Sequence, residues 1–319
     1  MRERVGGLPA SVRHLVGMHF GWWDREGRPV ESTAGKMIRP ALVFGSCAAM
    51  GGEATDALAA GAAVELVHNA SLLHDDIIDG DLHRRGRTAL WAEMGVPAGI
   101  LAGDALFFLA VDVLARAGAP FATEGVTRMV ATVHDLIHGE HMDVLMEQRV
   151  EASVNACLDV ARHKTASLLA LSCALGAMAA KADACQITCM SEYGGHLGQA
   201  FQIVDDVLGI WGDAKVTGKP VGSDLTSGKK SLPVAYALSS GTQAADALRE
   251  MYTEHEKIPA EQVERAMCLL QEAGARTWAV QETHRHVRYA KERLRYARPE
   301  PVAHEELVRL LEMVAVREK

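Results

Sequence analysis

The hydrophobic and polar positions of this chain follow the period of an α-helix over most of its length. Long runs rich in Ala, Leu and Val recur, and few segments show the two-residue alternation that is typical of strands. Gly51-Gly52, Gly118-Ala119-Pro120 and Pro299-Glu300-Pro301 interrupt these runs as breaks between helices. The pattern predicts an all-α fold. Helices are expected at about 37–50, 54–79, 88–95, 98–117, 121–148, 151–162, 164–180, 186–211, 231–240, 243–255, 260–273, 275–297 and 303–317.

Two stretches depart from this helical pattern. Residues 1–35 are polar and contain glycines, so we interpret them as an N-terminal leader or docking segment. Residues 212–230 hold four glycines and Pro220 and form the one long irregular segment of the body. A long glycine-rich loop inside a helical protein is often a functional flap. Because no internal repeat, low-complexity tract or linker is apparent, we expect residues 1–319 to form a single domain.

Composition and charge narrow the class of protein. The chain has 319 residues, of which 49% are hydrophobic, so it can bury a sizeable core. Its net charge of −8 argues against non-specific nucleic-acid binding. Six cysteines without a CxxC pair favour buried thiols of a cytoplasmic protein. No signal peptide is apparent in residues 1–20, and the longest apolar run, 166–180, is short for a membrane span, so no transmembrane segment is expected.

The most informative polar feature is a set of aspartates in otherwise apolar helical sequence. Asp75, Asp76 and Asp79 follow an apolar stretch, and on an ideal helix Asp75 and Asp79 lie one turn apart on the same face. Two unit charges about 6 Å apart repel by roughly 3 kcal/mol at an effective dielectric constant near 20. Arg84 and Arg85 follow directly, which suits a metal-bridged phosphate held by cationic side chains. The alternative is a solvated helix end.

A second acidic pair, Asp205-Asp206, lies in another apolar helix, with Gln202 on the same side. The alternative interpretation is a buried structural pair of aspartates. Two such clusters facing each other would need neutralisation, and Mg²⁺ prefers few protein carboxylates, several waters and substrate phosphate oxygens. We therefore expect a Mg²⁺–diphosphate site between two helices.

Further polar residues stand where an anion could need them. Basic candidates are Lys36, Arg39, Lys164, Lys219 and Lys229. Glu140 and Asp143, three residues apart on one predicted helix, either line the site or belong to a solvated face, and the sequence does not decide between these interpretations. His134, His138 and His141 recur at helical spacing, but the HExxH pattern of a zinc enzyme is absent.

Five segments of the chain, in the same order as in the family, resemble motifs of the trans-isoprenyl diphosphate synthases, the polyprenyl synthetase family. They are Gly35-Lys36-Met37-Ile38-Arg39-Pro40, His68 to Asp79 with Arg84-Arg85-Gly86, Lys164-Thr165-Ala166, Gly198 to Asp206, and Thr217-Gly218-Lys219-Pro220 to Gly228-Lys229. The resemblance covers about 35–235, and the combination of motifs is highly specific. It implies an all-α bundle around a deep central cavity, usually a homodimer.

The resemblance also implies roles for individual residues. The first aspartate motif consists of Asp75, Asp76 and Asp79, which would bind Mg²⁺ on the allylic diphosphate. A further ion would be held by Asp205 and Asp206. Three Mg²⁺ per site are expected, bound together with substrate. Clamps on the allylic diphosphate would be Arg84, Lys164, Lys219 and Lys229. Positions that bind isopentenyl diphosphate are matched by Lys36, Arg39, His68 and Arg85. Thr165 and Gln202 match positions near the developing cation.

The chain departs from the family pattern at two positions. Gly209 stands where the last aspartate of the second motif is expected, which weakens the metal shell there but leaves its first position intact. Met37 occupies a position that is often basic. We expect activity to survive both departures. The leader before Gly35 also looks short, so the first helix is expected to be reduced.

Product length is expected to depend on what blocks the cavity. In the family, bulky aromatic residues four or five positions before the first aspartate give short products, and here those positions hold the small residues Ser71 and Ala70. A helical trace at about 100° per residue places Ser71 on the stripe with Asp75 and leaves Ala70 off it. The small residues predict a product beyond C15, with C20 geranylgeranyl diphosphate as the first choice.

Two other functions stay open. A class I terpene cyclase or other prenyltransferase would use the same ionisation but would not need the isopentenyl diphosphate residues Lys36, Arg39 and His68. A non-catalytic partner subunit that regulates an active synthase would carry degenerate aspartate motifs, and only position 209 is lost here.

Overall fold

The computed structural model describes residues 1–30, 35, 37–147, 153–213, 220–254 and 257–315. Throughout these ranges the chain is almost entirely helical, and the strands found there form one short hairpin. The chain divides into two compact units. Unit 1 comprises Met1–Val133 and Leu171–Ile187, and unit 2 comprises His134–Ala170 and Thr188–Lys319. The all-α prediction is confirmed.

Unit 1 contains most of the helices that precede residue 134. In chain order its elements are α1 (Arg2–Gly6), α2 (Ala10–His19), α3 (Ile38–Ala49), a 3₁₀ turn at Ala54–Ala57, α4 (Leu58–Ile78), β1 (His83–Arg84), β2 (Arg87–Thr88), α5 (Leu90–Met94), α6 (Val96–Ala115) and a π turn at Phe121–Gly125. The following helix, α7 (Val126–Glu147), has residues in both units.

Unit 2 contains the remaining helices, of which two again have residues in both units. These two are α9 (Ser167–Ala179) and α10 (Ala184–Trp211). The others are α8 (Val154–Val160), a π turn at Ala161–Ala166, α11 (Ser223–Ser227), α12 (Leu232–Ser239), α13 (Gln243–Glu254), α14 (Val263–Glu272), α15 (Ala275–Tyr296) and α16 (Pro301–Ala315). From residue 37 onward the predicted helix ends agree with these bounds within a few residues, but α11 lies inside the segment 212–230, which was predicted to be irregular.

The N-terminal segment is more structured than its composition indicates. Helix α2 buries Val16 and Met18, and its residue Gly17 lies so close to the Trp23 indole that a Cβ atom at position 17 would meet that ring at 2.0 Å. Arg87 donates hydrogen bonds of 2.8 Å to the Met18 and His19 carbonyls at the end of α2. A cation that caps the last carbonyls stabilises a helix end. The predicted leader is therefore held to the body of unit 1.

Helices α4 and α6 form the centre of unit 1. Two glycines of α6 allow the close approach: a Cβ atom at Gly103 would meet the His74 ring at 2.3 Å, and one at Gly99 would meet Ile77 at 2.7 Å. The His74 Nε2 atom also lies 3.2 Å from the Ile100 carbonyl oxygen. The end of α4 that carries the aspartates is thus fixed by direct packing on α6.

Helix α6 is also long and apolar enough, by length and composition alone, to cross a membrane. It is the one such helix found in the described part of the chain, and it differs from the apolar run 166–180 that stood out in the sequence. Core helices of globular proteins meet the same criterion. Here one side of α6 packs on α4, while Phe108 on its other side is 77% exposed.

In unit 2, α15 carries a buried histidine that makes the stability of the fold pH-dependent. His286 lies 3.1 Å from His196, measured between the two Nδ1 atoms, and near Glu282 and Arg285. Burial, with smaller effects of His196 and Arg285, lowers the pKa of His286 to about 4. An unfolded histidine has a pKa near 6.5, so below that pH the unfolded chain binds more protons than the folded one.

We therefore expect acid to destabilise the folded protein partly through His286. Between pH 7 and pH 5 this residue should reduce the free energy of unfolding by about 2 kcal/mol. The variant His286→Gln is expected to lose less stability over that interval, measured by urea unfolding at each pH. His284→Gln, an exposed position on the same helix, serves as the control. Equal acid sensitivity of His286→Gln and the wild type would contradict the assignment.

Candidate active site

The first acidic cluster lies at the C-terminal end of α4. Asp75 is half-buried, Asp76 is buried, and Asp79 is exposed just after the helix ends at Ile78. The C-terminal end of a helix carries a partial negative charge, which raises the cost of further negative charge there. A cation at this position therefore stabilises the structure.

Arg84 supplies part of that positive charge. Its guanidinium group donates one hydrogen bond from Nε to Asp76 Oδ1 at 2.6 Å and another from Nη2 to Asp81 Oδ2 at 3.1 Å. Burial nevertheless raises the pKa of Asp76, and the Arg84 charge only partly offsets this. Asp76 Oδ2 is buried and has no hydrogen-bond partner among the described residues. The structure thus pairs the predicted phosphate clamp Arg84 with one of the predicted metal ligands.

The hairpin that carries Arg84 also positions Arg85. Residues Arg85 and Gly86 form its two-residue loop, with φ angles of 53° and 72°, as a type I′ turn requires. From this turn the Arg85 guanidinium reaches Asn69 Oδ1 at 3.4 Å. It also lies beside Gly35, where a Cβ atom would be 3.0 Å from it. The turn therefore directs Arg85 toward Gly35 and Arg39.

Arg39, His68 and Arg85 form a cationic patch in unit 1. Burial, followed by the charges of Arg39 and Arg85, lowers the pKa of His68 well below its usual value, so its ring is neutral at pH 7. Burial is also the largest cause that lowers the pKa of Arg39 to about 10, and Arg85 adds to it. Within the described ranges, Arg39 Nε is buried without a hydrogen-bond partner. A buried cationic donor without a partner suits an anionic ligand.

Three buried residues behind this patch were missed by sequence reasoning. Asn69 donates to Glu65 at its carbonyl oxygen (2.7 Å) and at Oε1 (2.9 Å), and its Oδ1 lies 3.1 Å from His19 Nε2. Burial lowers the pKa of His19 to about 3, so this ring is also neutral. The spacing of Glu65 and Asn69, one turn apart in an apolar helix, was the available indication. Their hydrogen bonds fix the Asn69 amide that Arg85 contacts.

In unit 2, Lys164 lies between two carboxylates of α7. Its Nζ atom is 2.7 Å from Glu140 Oε2 and 2.8 Å from Asp143 Oδ2. Burial lowers the pKa of Lys164, but Asp143 and Glu140 together outweigh it and raise the pKa overall. Gly139 permits this approach, since a Cβ atom there would meet the Lys164 backbone nitrogen at 2.5 Å. Glu140 and Asp143 are therefore part of the polar lining around Lys164.

A chain of hydrogen bonds connects the remaining candidates of unit 2. Thr165 Oγ1 donates to Gln202 Oε1 at 2.6 Å, and Gln202 Nε2 donates to Asp206 Oδ1 at 2.9 Å. Lys229 Nζ lies 3.1 Å from the same Asp206 oxygen, and the Leu232 amide donates to its other oxygen at 3.0 Å. The structure thus brings Thr165, Gln202, Asp206 and Lys229 together in unit 2.

The two aspartates of the second cluster differ in environment. The Asp206 side chain is only 4% exposed and accepts the hydrogen bonds just described, whereas Asp205 is exposed. Asp206 is the largest cause of a raised pKa of Lys229, ahead of the opposing effect of burial. Asp205 is therefore the more accessible of the two for an ion brought in with a ligand.

Two predicted site residues, Lys36 and Lys219, lie outside the described residues, as does part of the predicted flap. The two residues predicted to control product length are both described. Ala70 is fully buried in α4, and Ser71 is half-buried, with its hydroxyl donating to the His68 carbonyl oxygen at 2.9 Å. Their control of product length stays a prediction.

The donor set of both clusters fits Mg²⁺. All candidate ligands are carboxylate oxygens, and the buried Asp76 Oδ2 has no hydrogen-bond partner among the residues described. No three His, Cys, Asp or Glu side chains in the described ranges are close enough to hold a metal ion by themselves. Mg²⁺ typically takes one or two carboxylates and completes its shell with waters and substrate phosphates.

Solved structures show which class of fold this is. A polyprenyl synthetase from Streptomyces coelicolor A3(2) superposes with a TM-score of 0.93 at 38% sequence identity, covering 99% of this chain and 95% of that chain. A geranylgeranyl pyrophosphate synthase from Corynebacterium glutamicum, complexed with isoprenyl diphosphate and magnesium, gives a TM-score of 0.80 at 25% identity, covering 99% of this chain and 97% of that chain. The fold is the all-α fold of isoprenyl synthases.

Sequence comparison identifies the family. The polyprenyl synthetase family model matches residues 27–270. The geranylgeranyl diphosphate synthase of Mycobacterium tuberculosis is 42% identical over 322 residues, covering 100% of this chain and 90% of that protein. The (2E,6E)-farnesyl diphosphate synthase of Mycobacterium bovis is 39% identical over 290 residues, covering 90% of this chain and 81% of that protein. The chain belongs to the polyprenyl synthetase family and is a trans-isoprenyl diphosphate synthase, a transferase of prenyl groups.

Proposed function

We propose that this enzyme condenses isopentenyl diphosphate with allylic diphosphates and releases diphosphate, with C20 geranylgeranyl diphosphate as its main product. The observation that carries the proposal is the half-buried patch of Arg39, His68 and Arg85 near the acidic end of α4. The patch has a cationic donor, Arg39 Nε, with no hydrogen-bond partner in the described ranges, and the helix end has an orphaned carboxylate oxygen, Asp76 Oδ2. The Arg39 guanidinium suits a diphosphate without bound metal, and the Asp76 carboxylate suits a diphosphate that arrives with cations.

The allylic diphosphate is assigned to the carboxylates and their neighbouring cations. Asp75, Asp76 and Asp79 would hold Mg²⁺, as would Asp205 and Asp206, and we propose three ions bound together with substrate. Arg84, Lys164, Lys219 and Lys229 would bind the phosphate oxygens. When bound, Mg²⁺ neutralises the negative charge that develops on the departing diphosphate. Lys164 and Lys229 add fixed positive charge beside it, held in place by their carboxylate partners.

Isopentenyl diphosphate is assigned to Lys36, Arg39, His68 and Arg85. The depressed pKa of His68 keeps its ring neutral, so it donates one hydrogen bond without adding charge to the two guanidinium groups. Arg39 and Arg85 provide the charge-assisted hydrogen bonds. The two substrates are thus distinguished by the way each diphosphate is neutralised. Bound metal acts on the allylic diphosphate, whereas side-chain cations alone act on isopentenyl diphosphate.

The reaction follows from these charges. The bond between the allylic carbon and the diphosphate oxygen breaks, the double bond of isopentenyl diphosphate attacks the resulting cation, and the released diphosphate takes the proton that is lost. The oxygens of Thr165 and Gln202, linked to each other and to Asp206, lie beside the cation and stabilise it. Exclusion of water by apolar side chains protects the cation.

Product length is assigned to Ala70 and Ser71, whose small side chains leave room for an elongating chain. Ser71→Phe is expected to shorten the main product from C20 to C15, because the half-buried position accepts a larger ring. Ala70→Tyr should act in the same direction with a greater loss of stability, since Ala70 is fully buried. Chromatography of the dephosphorylated products measures the outcome.

The control for this prediction is Leu72→Phe, at the next position of α4 and about 100° around the helix. It should leave the product distribution unchanged. If Ser71→Phe and Ala70→Tyr are folded and both make the wild-type products, residues 70 and 71 do not set the length. The names of the relatives include both geranylgeranyl and farnesyl diphosphate synthases, so this measurement decides between the two lengths.

The exposed side of α6 supports the prediction of a homodimer. It presents Phe108, Leu101 and Ile100, with exposed fractions of 77%, 58% and 42%. An apolar face of this kind is typical of an interface between subunits. We propose that a second copy covers it and that the protein works in the cytoplasm. The mass in solution, measured by sedimentation equilibrium, tests the dimer.

The function is tested by incubating the protein with Mg²⁺, isopentenyl diphosphate and, in turn, dimethylallyl, geranyl or farnesyl diphosphate. Longer prenyl diphosphates and released diphosphate are expected. Hydrocarbon formed from geranylgeranyl diphosphate alone would identify a terpene cyclase instead. Inactivity alone, with activity restored by an added synthase, would identify a regulatory subunit.

A further inference from the structure

His19 is a buried histidine of the N-terminal segment that the proposed reaction does not use. It is the last residue of α2, and it is 8% exposed. Its Nε2 atom lies 3.1 Å from Oδ1 of Asn69, which stands fifty residues later in the chain on α4. Burial lowers the pKa of His19 to about 3, so the ring that meets Asn69 is neutral at pH 7.

The Asn69 amide determines which of the two groups donates. Its nitrogen donates to the Glu65 carbonyl oxygen at 2.7 Å and to Glu65 Oε1 at 2.9 Å, so both amide hydrogens are used. The other end of the amide, Oδ1, can only accept a hydrogen bond. The neutral His19 ring therefore carries its proton on Nε2 and donates it to Asn69.

The same amide oxygen also holds the Arg85 guanidinium. Arg85 Nη1 donates to Asn69 Oδ1 at 3.4 Å, so this oxygen accepts from both His19 and Arg85. The Arg85 bond is longer than the usual range of about 2.7–3.2 Å. A long hydrogen bond depends strongly on where its acceptor lies, and the position of this acceptor is fixed by His19 on one side and by Glu65 on the other.

The hairpin that carries Arg85 is tied to the same end of α2 by a second contact. Arg87 donates hydrogen bonds of 2.8 Å to the Met18 and His19 carbonyl oxygens. The end of α2 is thus connected to the hairpin through backbone carbonyls and, by way of Asn69, through the His19 ring. A change in the His19 side chain should therefore be felt at the Arg85 guanidinium.

We propose that His19, acting through Asn69, positions the Arg85 guanidinium for the diphosphate of isopentenyl diphosphate, so that the N-terminal segment completes this binding site. The inference rests on the proposed function, which assigns Arg85 to that substrate. His19 and Asn69 are positioning residues, because they act on the substrate through Arg85. The neighbouring clamp on the allylic diphosphate, Arg84, is held separately by Asp76 and should not depend on them.

The test compares the steady-state kinetics of the wild type and His19→Phe, with isopentenyl diphosphate varied at saturating geranyl diphosphate and then the reverse. His19→Phe keeps a buried ring but removes the donor. It should raise KM for isopentenyl diphosphate by about 5- to 10-fold, the effect of one lost hydrogen bond, with kcat and KM for geranyl diphosphate nearly unchanged. His19→Gln, which places an amide nitrogen near the position of Nε2, should recover most of the loss.

A double-mutant cycle shows whether His19 acts through Asn69. Asn69→Ala removes the shared acceptor and should raise KM for isopentenyl diphosphate at least as much as His19→Phe does. When the two substitutions are combined, this KM should equal that of Asn69→Ala alone, because His19 then has no amide to hold. If the two effects multiply instead, His19 does not act through Asn69, and the inference is wrong.

His14→Phe is the matched control, because it changes a histidine of the same helix. His14 Nε2 lies 3.0 Å from the Arg25 carbonyl oxygen, and its ring is stacked on Trp23 with 6.3 Å between the ring centroids, so these contacts are internal to the N-terminal segment. The control should leave both KM values unchanged. Circular dichroism and the melting temperature report on the folding of each variant, and His19→Leu replaces His19→Phe if the latter is unfolded.

The outcomes distinguish this inference from the proposed function. If the wild type forms prenyl diphosphates and the folded variants at positions 19 and 69 keep its KM for isopentenyl diphosphate, the positioning role is wrong while the proposed function stands. An equal rise in KM for both substrates has the same meaning, since it indicates a general structural effect. If the wild type neither forms prenyl diphosphates nor binds isopentenyl diphosphate, both proposals fail.

Discussion

Asp75→Ala is expected to lower kcat by about 10²- to 10³-fold, the usual effect of removing one group that stabilises transition-state charge. Asp75 is half-buried at the end of α4, where it is assigned to the cations that neutralise the departing diphosphate. The neighbouring variant Asp76→Ala should act differently, because it also breaks the buried pair with Arg84. The Arg84 side chain left behind is 30% exposed and keeps Asp81 at 3.1 Å, so the loss of stability should lie between about 1 kcal/mol for an exposed pair and about 3–5 kcal/mol for a fully buried one.

The comparison of the two aspartates separates catalysis from folding. Steady-state kinetics and urea unfolding of Asp75→Ala should show a large loss of kcat with little change in the free energy of unfolding. Asp112→Ala removes an exposed carboxylate that pairs with Arg116 on the surface of the same unit, and it should change neither quantity appreciably. If Asp75→Ala retains the wild-type kcat at saturating Mg²⁺, the first cluster does not hold the catalytic cations.

Lys164→Met is expected to lower kcat/KM by about 10²-fold or more and to destabilise the protein. Loss of the Lys164 ammonium group leaves Glu140 and Asp143 without their shared cation. Both carboxylates are largely buried, with side chains that are 15% and 22% exposed. The cost should lie between about 1 kcal/mol for an exposed pair and about 3–5 kcal/mol for a buried one. Urea unfolding and steady-state kinetics measure the two effects.

A triple variant separates the catalytic role of Lys164 from its structural role. When Lys164→Met is combined with Glu140→Gln and Asp143→Asn, the unpaired carboxylate charges are removed. Stability should then recover, whereas activity should not. Lys291→Met is the matched control, because Lys291 pairs with the exposed Glu312 at 2.6 Å in the same unit. Its effect on both measurements should be small. Recovery of activity together with stability would show that Lys164 is only structural.

The sequence predicted the positions of most helices because helix formation depends mainly on residues close together in the chain. From residue 37 onward, apolar spacing and glycine or proline breaks placed most helix ends within a few residues of the observed ones. The pattern failed for α2, a ten-residue helix held by contacts with Trp23 and Arg87, and for α11, a five-residue helix inside the predicted flap. Short helices of this kind are stabilised by tertiary contacts rather than by their own sequence.

The motifs identified most residues of the candidate site, but they did not predict how these residues contact one another. The sequence identified the acidic clusters and the basic residues, since carboxylates in apolar helices are rare without a reason. It left Glu140 and Asp143 undecided and missed His19, Glu65 and Asn69. Apart from the Glu65–Asn69 pair, which lies within one turn of α4, each of these depends on a contact between residues from different parts of the chain.

By itself, then, the sequence determined that the protein is helical, that it carries two aspartate clusters, and that it has the motifs of its family, because periodicity and motif order are properties of neighbouring residues. The tertiary structure alone decided that Arg84 pairs with Asp76, that Lys164 lies between two carboxylates, and that His19 contacts Asn69. Which charges meet depends on how closely backbones distant in sequence approach one another, and the spacing of residues along the chain does not contain that distance.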